Sequence, residues 1–301
     1  MHKFFIISFI LFLSATASAD VSVAATIRPL QFIAEAIVGN HGSVTSVIDE
    51  NDSPHQYTIS PSDRINLAKA NVLVWISPEF EVFLQNVFAS SNQRGDVIQA
   101  SALDGMRLHT FGNGIFDPHL WLDSGNAVLI AEAIAARVSS IDTDNARAYQ
   151  LNLDNFKQRV ELANQTIIAL LSRPATGEYL VYHDAYQYFE KQFRLKHGLV
   201  LLDNPEVQPS MRDILQVRQR IRELSPKCLL LESDSNLSLV DTLLDDLELL
   251  MEPVDLLGYT VNASGERGDR YTQLLNNVAE SFARCLYVDK SDRAISLDRT
   301  Q

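Results

Sequence analysis

One long helical stretch divides the sequence into two halves. Residues 143–171 read TDNARAYQLNLDNFKQRVELANQTIIALL, with apolar side chains at helical spacing and neither Gly nor Pro inside. Thr143 or Asp142 can cap its start, and Arg173-Pro174 follows its end. About 28 residues at 1.5 Å each make a rod of roughly 42 Å. The pattern therefore predicts a stiff helix that connects two folded units.

Short β-branched runs alternate with helical stretches on both sides of this rod. Before it, strands are predicted at 21–27, 44–48 and 72–76, and helices at 30–38, 61–70 and 79–88. After it, strands are predicted at 179–182, 199–202, 229–232 and 249–254, and helices at 185–193, 211–224, 237–247 and 271–284. Such alternation is typical of a parallel sheet covered by helices. The predicted fold class is α/β, with two (β/α) lobes at 20–141 and 173–301 joined by the helix at 142–172.

The first residues have the pattern of a secretory leader. A short positive start precedes an apolar run at 4–13, and small residues at 17–19 form a cleavage site. The run is shorter than the roughly 20 residues that a membrane span needs, so an uncleaved anchor is the weaker interpretation. We expect residues 1–19 to be a cleaved signal peptide and the chain from Asp20 onward to be a soluble periplasmic protein.

The acidic composition of the chain limits the kinds of partner that it can bind. The chain carries 25 Lys and Arg against 38 Asp and Glu, a net charge of −13, and 46% of its 301 residues are hydrophobic. That apolar content is sufficient for the cores of two domains. An acidic surface repels the phosphate backbone, so nucleic acid is excluded as a leading partner. A small cation is compatible with this charge, although the charge alone does not indicate one.

Cys228 and Cys285 are the two cysteines of the chain. An even pair in an exported protein favours a disulfide, and this is our prediction. Closing a loop of this length stabilises the fold by roughly 4 kcal/mol in the chain-entropy model. Two unpaired buried thiols are the alternative. Metal binding by the pair is less favoured, because neither cysteine has a second Cys or a His at zinc-finger spacing.

Three histidines occupy positions from which a ligand can be bound. His183 follows a predicted strand, at the carboxyl end where open α/β sheets bind ligands. His55 lies just before a helix start, and His119 lies between the polar Asp117-Pro118 and large apolar residues. Neutral imidazole is a good ligand for zinc. Taken singly, each of the three fits a loop or capping role better, because no local His-Glu-x-x-His motif links them.

The other histidines of the proposed mature chain receive no ligand role. His41 and His197 lie in glycine-containing turns, and His109 lies in a loop. We interpret all three as turn or loop residues.

Four motifs carry a resemblance to a known family. They are SPHQYTISPSDRINLAKANVLVWISPEFEVFL (53–84), DPHLWLD (117–123), HDAYQYFEKQF (183–193) and NPEVQPS (204–210). In this order they resemble the metal-binding receptors of ABC importers, in particular the periplasmic zinc receptors. The similarity extends from about residue 21 to about residue 286, which is nearly the whole predicted mature chain.

The resemblance implies a metal site in the cleft between two lobes that one long rigid helix joins. By motif, His55, His119 and His183 match the three histidines that bind metal in this family. Asp255 aligns with a family aspartate and is the expected fourth ligand. A water ligand remains open, as does a role for Asp255 as a strand-end residue that bonds loop amides.

The implied function is capture of Zn²⁺ by a periplasmic monomer. Its implied partner is an inner-membrane ABC permease with its cytoplasmic ATPase, to which the receptor delivers the ion. Zinc is then a transported ligand and not a catalytic cofactor. Because histidine must lose its proton to bind metal, affinity should fall as the pH drops through about 6.5.

The sequence departs from the family pattern at three places. The loop at 108–116 contains His109 but no His-rich tract, so an accessory metal-collecting loop is missing. Pro54 stands where an acidic ligand could precede His55. The segment at 231–236 departs from a Glu-Pro-Gln pattern, so we assign neither Glu232 nor Asp234 to the metal shell.

Two other functions stay open at this point. A manganese or iron receptor of the same fold would usually replace one nitrogen ligand by a carboxylate, so His183 favours zinc. A secreted zinc hydrolase would need a general base beside a metal-bound water, for which Asp117 and Glu232 are conceivable. No Gly-x-Ser-x-Gly motif is present either, and we expect a binding protein and not an enzyme.

Overall fold

The computed structural model describes residues 20–48, 54, 57–89, 95–202, 207–244, 247, 249–262 and 264–287. The first half contains β1 (Val21–Ala25), α1 (Arg28–Val38), β2 (Gly42–Ser46), α2 (Pro61–Lys69), β3 (Val72–Trp75), α3 (Val82–Ala89), β4 (Asp96–Gln99) and α4 (Ser124–Ile141). After α5 (Ala146–Leu170), the second half contains β5 (Tyr179–His183), α6 (Gln187–Phe193), β6 (Leu199–Leu202), α7 (Met211–Leu224), β7 (Cys228–Glu232), α8 (Leu237–Leu244), β8 (Leu250–Val254) and α9 (Arg270–Leu286). The predicted α/β fold class is confirmed.

Both halves build the same kind of sheet. The strand orders are β2-β1-β3-β4 and β6-β5-β7-β8, and all neighbouring strands are parallel. The inner strands β3 and β5 are buried throughout, as expected for parallel strands with helices on both faces. Parallel pairing places the carboxyl ends of β5 and β7, His183 and Glu232, at the same edge of the second sheet.

Two regular elements are missing from the sequence prediction. The edge strand β4 buries only Ile98, so it lacks the continuous buried run that marks β3, β5 and β7. Asp123 caps the start of helix α4, and its carboxylate accepts from the backbone N–H groups of Gly125 and Asn126. This N-cap residue is the last residue of the DPHLWLD motif.

The long helix is α5, 25 residues and about 37 Å long. Its buried side chains recur every three or four residues, the stripe expected of a helix with one packed face. They are Tyr149, Leu153, Phe156, Val160, Ala163 and Ile167. The helix packs on α1 and α4 from the first half and on α9 from the second. The predicted domain boundaries fall in the turns at its two ends, and α5 contributes to a core that the two halves share.

A disulfide closes the second half. Cys228 begins β7 and Cys285 lies in the last turn of α9, with their Cα atoms 5.4 Å apart. The predicted Cys228–Cys285 disulfide is therefore confirmed.

No helix within the described residues is long and apolar enough to cross a membrane. The predicted signal peptide at 1–19 lies outside those residues.

Candidate metal centre

His183 is the last residue of β5 and is buried. Its Nδ1 lies 3.5 Å from Oε1 of Glu232, the last residue of the neighbouring strand β7. The register of the two parallel strands brings these two side chains to the same edge. Burial acts to lower the pKa of His183, but the negative charge of Glu232 and hydrogen bonding to it outweigh burial, so the pKa is raised.

Glu232 is a buried carboxylate that is held by other side chains. The Tyr186 hydroxyl donates to its Oε1, and the Ser235 hydroxyl lies 3.3 Å from its Oε2. Burial acts to raise the pKa of Glu232, but the charge of His183 and its hydrogen bond outweigh burial and lower it. The carboxylate is thus fixed in position behind the imidazole.

His119 approaches from the first half of the chain. Its ring Nδ1 lies 2.8 Å from Oδ1 of Asp117, and the same oxygen accepts from the His119 backbone N–H at 3.0 Å. The Tyr188 hydroxyl of α6 donates to the Asp117 backbone carbonyl at 2.8 Å, which ties this turn to the second half. Asp117 is completely buried, and its Oδ2 has no hydrogen-bond partner in the part of the chain described here.

The two imidazoles converge between the halves. Their ring centroids are 5.4 Å apart, with an angle of 57° between the ring planes. With Zn–N bonds of about 2.0 Å, two histidines on a tetrahedral zinc have centroids about 5 Å apart. Because each Nδ1 faces a carboxylate, Nε2 is the nitrogen available for metal on both rings. The geometry therefore fits two ligands of one tetrahedral metal ion.

His55 lies outside the described residues, so its predicted position beside the other two is not observed. The chain after it is anchored at the start of α2. There Ser60 and Asp63 form a capping box, and the Tyr57 hydroxyl donates to Asp63 at 2.6 Å. Within the described residues, no group of three His, Cys, Asp or Glu side chains is arranged to hold a metal.

Asp255 follows β8 and organises its own loop. Its carboxylate accepts from the backbone N–H groups of Leu257, Gly258 and Thr260 and from the Thr260 hydroxyl, at 2.6 to 3.1 Å. The loop also contacts the first half, where Trp121 Nε1 donates to the Leu256 carbonyl at 2.9 Å. This is the loop-amide role that the sequence left open. Metal binding by Asp255 stays a prediction.

Asp117 and Glu232, whose carboxylates face Nδ1 of His119 and His183, were not predicted from the sequence to belong to the metal centre. Asp117 lies two positions from His119, and that spacing was a usable signal. The contact between Glu232 and His183 follows only from the strand order. A third carboxylate, Asp184, follows His183, and burial raises its pKa against the opposing charge of His197.

The remaining histidines have local partners. The His41 ring packs edge-on against Tyr149, and the His109 ring lies 4.6 Å from that of Tyr188. His197 Nδ1 lies 3.0 Å from both oxygens of the buried Glu190. These contacts agree with the turn and loop roles predicted for all three.

A family model described as "Zinc-uptake complex component A periplasmic" (ZnuA) matches residues 23–285. The chain belongs to the ZnuA family. Among its curated relatives, the high-affinity zinc uptake system protein ZnuA of Brucella abortus is 25% identical, over 91% of this chain and 94% of the relative. The ZnuA of Yersinia pestis is 26% identical, over 89% of this chain and 92% of the relative.

Solved structures share the fold of this ZnuA family member. A crystal structure of ZnuA superimposes with a TM-score of 0.77 and 21% identity, covering 89% of this chain and all of that one. A zinc-bound ZnuA with residues 138–173 of its own chain deleted gives 0.76 and 22%, covering 90% and 100%. FpvC of Pseudomonas aeruginosa, in complex with Ni²⁺, gives 0.76 and 20%, covering 89% and 97%.

Proposed function

We propose that this protein captures Zn²⁺ in the periplasm and delivers it to an inner-membrane ABC permease with its cytoplasmic ATPase. The observation that carries the proposal is the convergence of His119 and His183, from opposite halves, with centroids 5.4 Å apart and a carboxylate behind each ring. Membership of the ZnuA family and the zinc-uptake names of its relatives support the same function.

The proposed ligands are His55, His119 and His183, with Asp255 or a water as the fourth. Nitrogen ligands suit zinc better than manganese, which prefers carboxylate and carbonyl oxygens. For Asp255 to bind the ion, its carboxylate would give up hydrogen bonds that now shape the 255–260 loop. The protein acts by binding and release as a monomer, and no catalytic step belongs to the proposal.

A receptor for manganese or iron is the second candidate. The structural neighbour FpvC has been solved with both Ni²⁺ and Mn²⁺, so this fold accommodates more than one divalent metal. The nitrogen-rich donor set proposed for the present chain separates it from an oxygen-rich manganese site.

Metal content and competition test the proposal. The protein is purified from the periplasm, its metals are determined by elemental analysis, and it is dialysed against equal concentrations of zinc, manganese and iron. We expect one zinc per chain and retention of zinc against the other two. N-terminal sequencing of the same sample should begin at Asp20. Stoichiometric zinc binding by a triple His55→Ala, His119→Ala, His183→Ala variant would contradict the proposal.

A further inference from the structure

The three proposed histidine ligands do not balance the charge of a bound zinc ion. Three neutral histidines contribute no charge, whereas zinc brings two positive charges into a place where His119 and His183 are buried. A buried ion without compensating charge is costly, since the protein interior solvates charge poorly. A stable site therefore requires negative groups near the ligands.

Asp117 is one such group. Its Oδ1 is 2.8 Å from His119 Nδ1, and its side chain has no exposed surface. The partnerless Oδ2, within the described part of the chain, is a buried acceptor that needs an explanation. A positive ion bound on the far side of the His119 ring would account for burying this carboxylate, because the negative charge of Asp117 stabilises the ion through the imidazole.

Glu232 is the second. Its Oε1 lies 3.5 Å from His183 Nδ1, and the Tyr186 and Ser235 hydroxyls hold its two oxygens. Both carboxylate oxygens of Asp255, in contrast, accept hydrogen bonds from within its own loop. The carboxylates that face Nδ1 of His119 and of His183 thus come one from each half of the chain.

We propose that Asp117 and Glu232 are positioning residues that orient His119 and His183 through Nδ1 and carry the two negative charges that compensate bound Zn²⁺. A carboxylate on Nδ1 fixes the tautomer, so Nε2 presents its lone pair to the metal. With both charges in the outer shell, a neutral water suffices as fourth ligand. This inference rests on the proposed zinc-binding function and attributes part of the zinc affinity to these two carboxylates.

The second half contains a matched arrangement without a ligand role. Tyr179 donates to Glu190 at 2.5 Å, and Glu190 lies 3.0 Å from His197 Nδ1. This Tyr–Glu–His set has the composition of Tyr186, Glu232 and His183, and Glu190 is buried to a similar degree as Glu232. Removing the charge of Glu190 therefore costs a buried interaction of the same kind at a carboxylate whose hydrogen-bond partners, Tyr179 and His197, are not proposed ligands.

The test uses isosteric substitutions in the mature protein and zinc titration against a competing chelator. Asp117→Asn and Glu232→Gln keep a hydrogen-bond acceptor and remove the charge. We expect each to lower zinc affinity by about 10- to 100-fold, their combination to lower it further, and the Glu190→Gln control to stay within about threefold of the wild type. Wild-type affinity in both single variants would overturn the inference, as would equal losses in Glu190→Gln.

Two further measurements separate this inference from other failures. Circular dichroism of the metal-free variants identifies misfolding, and Glu232→Asp, which keeps the charge at greater distance, should recover part of the affinity if Glu232→Gln misfolds. An Asp255→Asn loss that exceeds both Asp117→Asn and Glu232→Gln would assign compensation to Asp255 and overturn the inference. A wild-type protein that binds no zinc would instead refute the proposed function.

Discussion

His119 and His183 each have a carboxylate beside Nδ1, and different structural means place the two carboxylates. His119 is fixed by Asp117, two residues earlier in the same turn, at 2.8 Å. Nδ1 of His183 faces Glu232, which lies on another strand, at 3.5 Å. The first pair forms whenever its turn forms, whereas the second requires the completed β5–β7 pairing. The site therefore combines a local element from one half with a topological element from the other.

The largest expected effect is on zinc affinity, when the imidazoles of His119 and His183 are removed. Structural zinc sites bind with roughly 10–16 kcal/mol from four ligands, so each ligand contributes on the order of 3 kcal/mol. His119→Ala and His183→Ala should each weaken zinc binding by at least about 100-fold, and the double variant should retain no zinc after dialysis. Isothermal titration measures the loss.

His41→Ala is the control, since the His41 ring packs on Tyr149 in a turn of the first half. Its zinc affinity should equal that of the wild type. A larger loss for His41→Ala than for His119→Ala would remove His119 from the ligand set.

The same local-versus-topological difference decides what could be predicted from the sequence. The Asp117-Pro-His119 turn is contiguous, and its arrangement is readable from the chain. The position of Glu232 requires the strand order β6-β5-β7-β8, which periodicity does not encode. From the sequence, Glu232 is excluded from the metal shell because residues 231–236 depart from the Glu-Pro-Gln pattern, and periodicity offers no signal that places it beside His183. The edge strand β4 was not predicted because only Ile98 of its four residues is buried.

Removing the disulfide tests how much it contributes to the stability of the second half, which contains His183. Cys228 begins the strand that ends at Glu232, and its bond to Cys285 ties that strand to α9. A Cys228→Ser, Cys285→Ser variant should lose about 4 kcal/mol of unfolding free energy in the chain-entropy model. Urea unfolding of the oxidised wild type and the variant measures this. Equal midpoints would show that the strand pairing needs no covalent support.

Two buried glutamates sharpen the contrast between the halves. In the first half, Glu81 accepts from the Thr26 hydroxyl at 2.6 Å and from the backbone N–H groups of Ile76 and Ser77, both at 2.9 Å. Burial raises the pKa of Glu81 to about 7 despite these donors. Glu232 faces His183 instead, and its pKa is lowered. Glu81 thus accepts from backbone N–H groups, whereas Glu232 faces the imidazole of His183.

This difference predicts a pH dependence of stability. Because the pKa of Glu81 is higher in the folded protein, about 7, than in the unfolded chain, about 4.5, the folded state binds more protons between these values. Its contribution is complete below pH 4.5 and is lost as the pH rises through 7, a decline of about 3 kcal/mol. Urea unfolding from pH 4.5 to 8 should show this decline in the wild type relative to Glu81→Gln. Parallel curves for the two proteins would contradict the assignment.

The smallest expected effect compares the two tyrosines that hold buried glutamates. Tyr186→Phe and Tyr179→Phe each remove one hydroxyl donor, from Glu232 and from Glu190 respectively. Each should cost about 1–2 kcal/mol of unfolding free energy, since a buried carboxylate oxygen loses a hydrogen bond. Only Tyr186→Phe should also weaken zinc binding, by about two- to fivefold, because a carboxylate left less fixed orients His183 less well.

The pair of tyrosine variants separates stability from metal binding within one half of the chain. Without metal, both substitutions should lower the midpoint of thermal unfolding by a similar amount relative to the wild type. Adding zinc should raise the midpoint less than in the wild type only for Tyr186→Phe. An equal zinc-induced increase in both variants would mean that the orientation of Glu232 does not reach the metal. Zinc affinity would then depend on the charge of Glu232 and not on how firmly it is held, and Glu232→Gln would remain the decisive substitution.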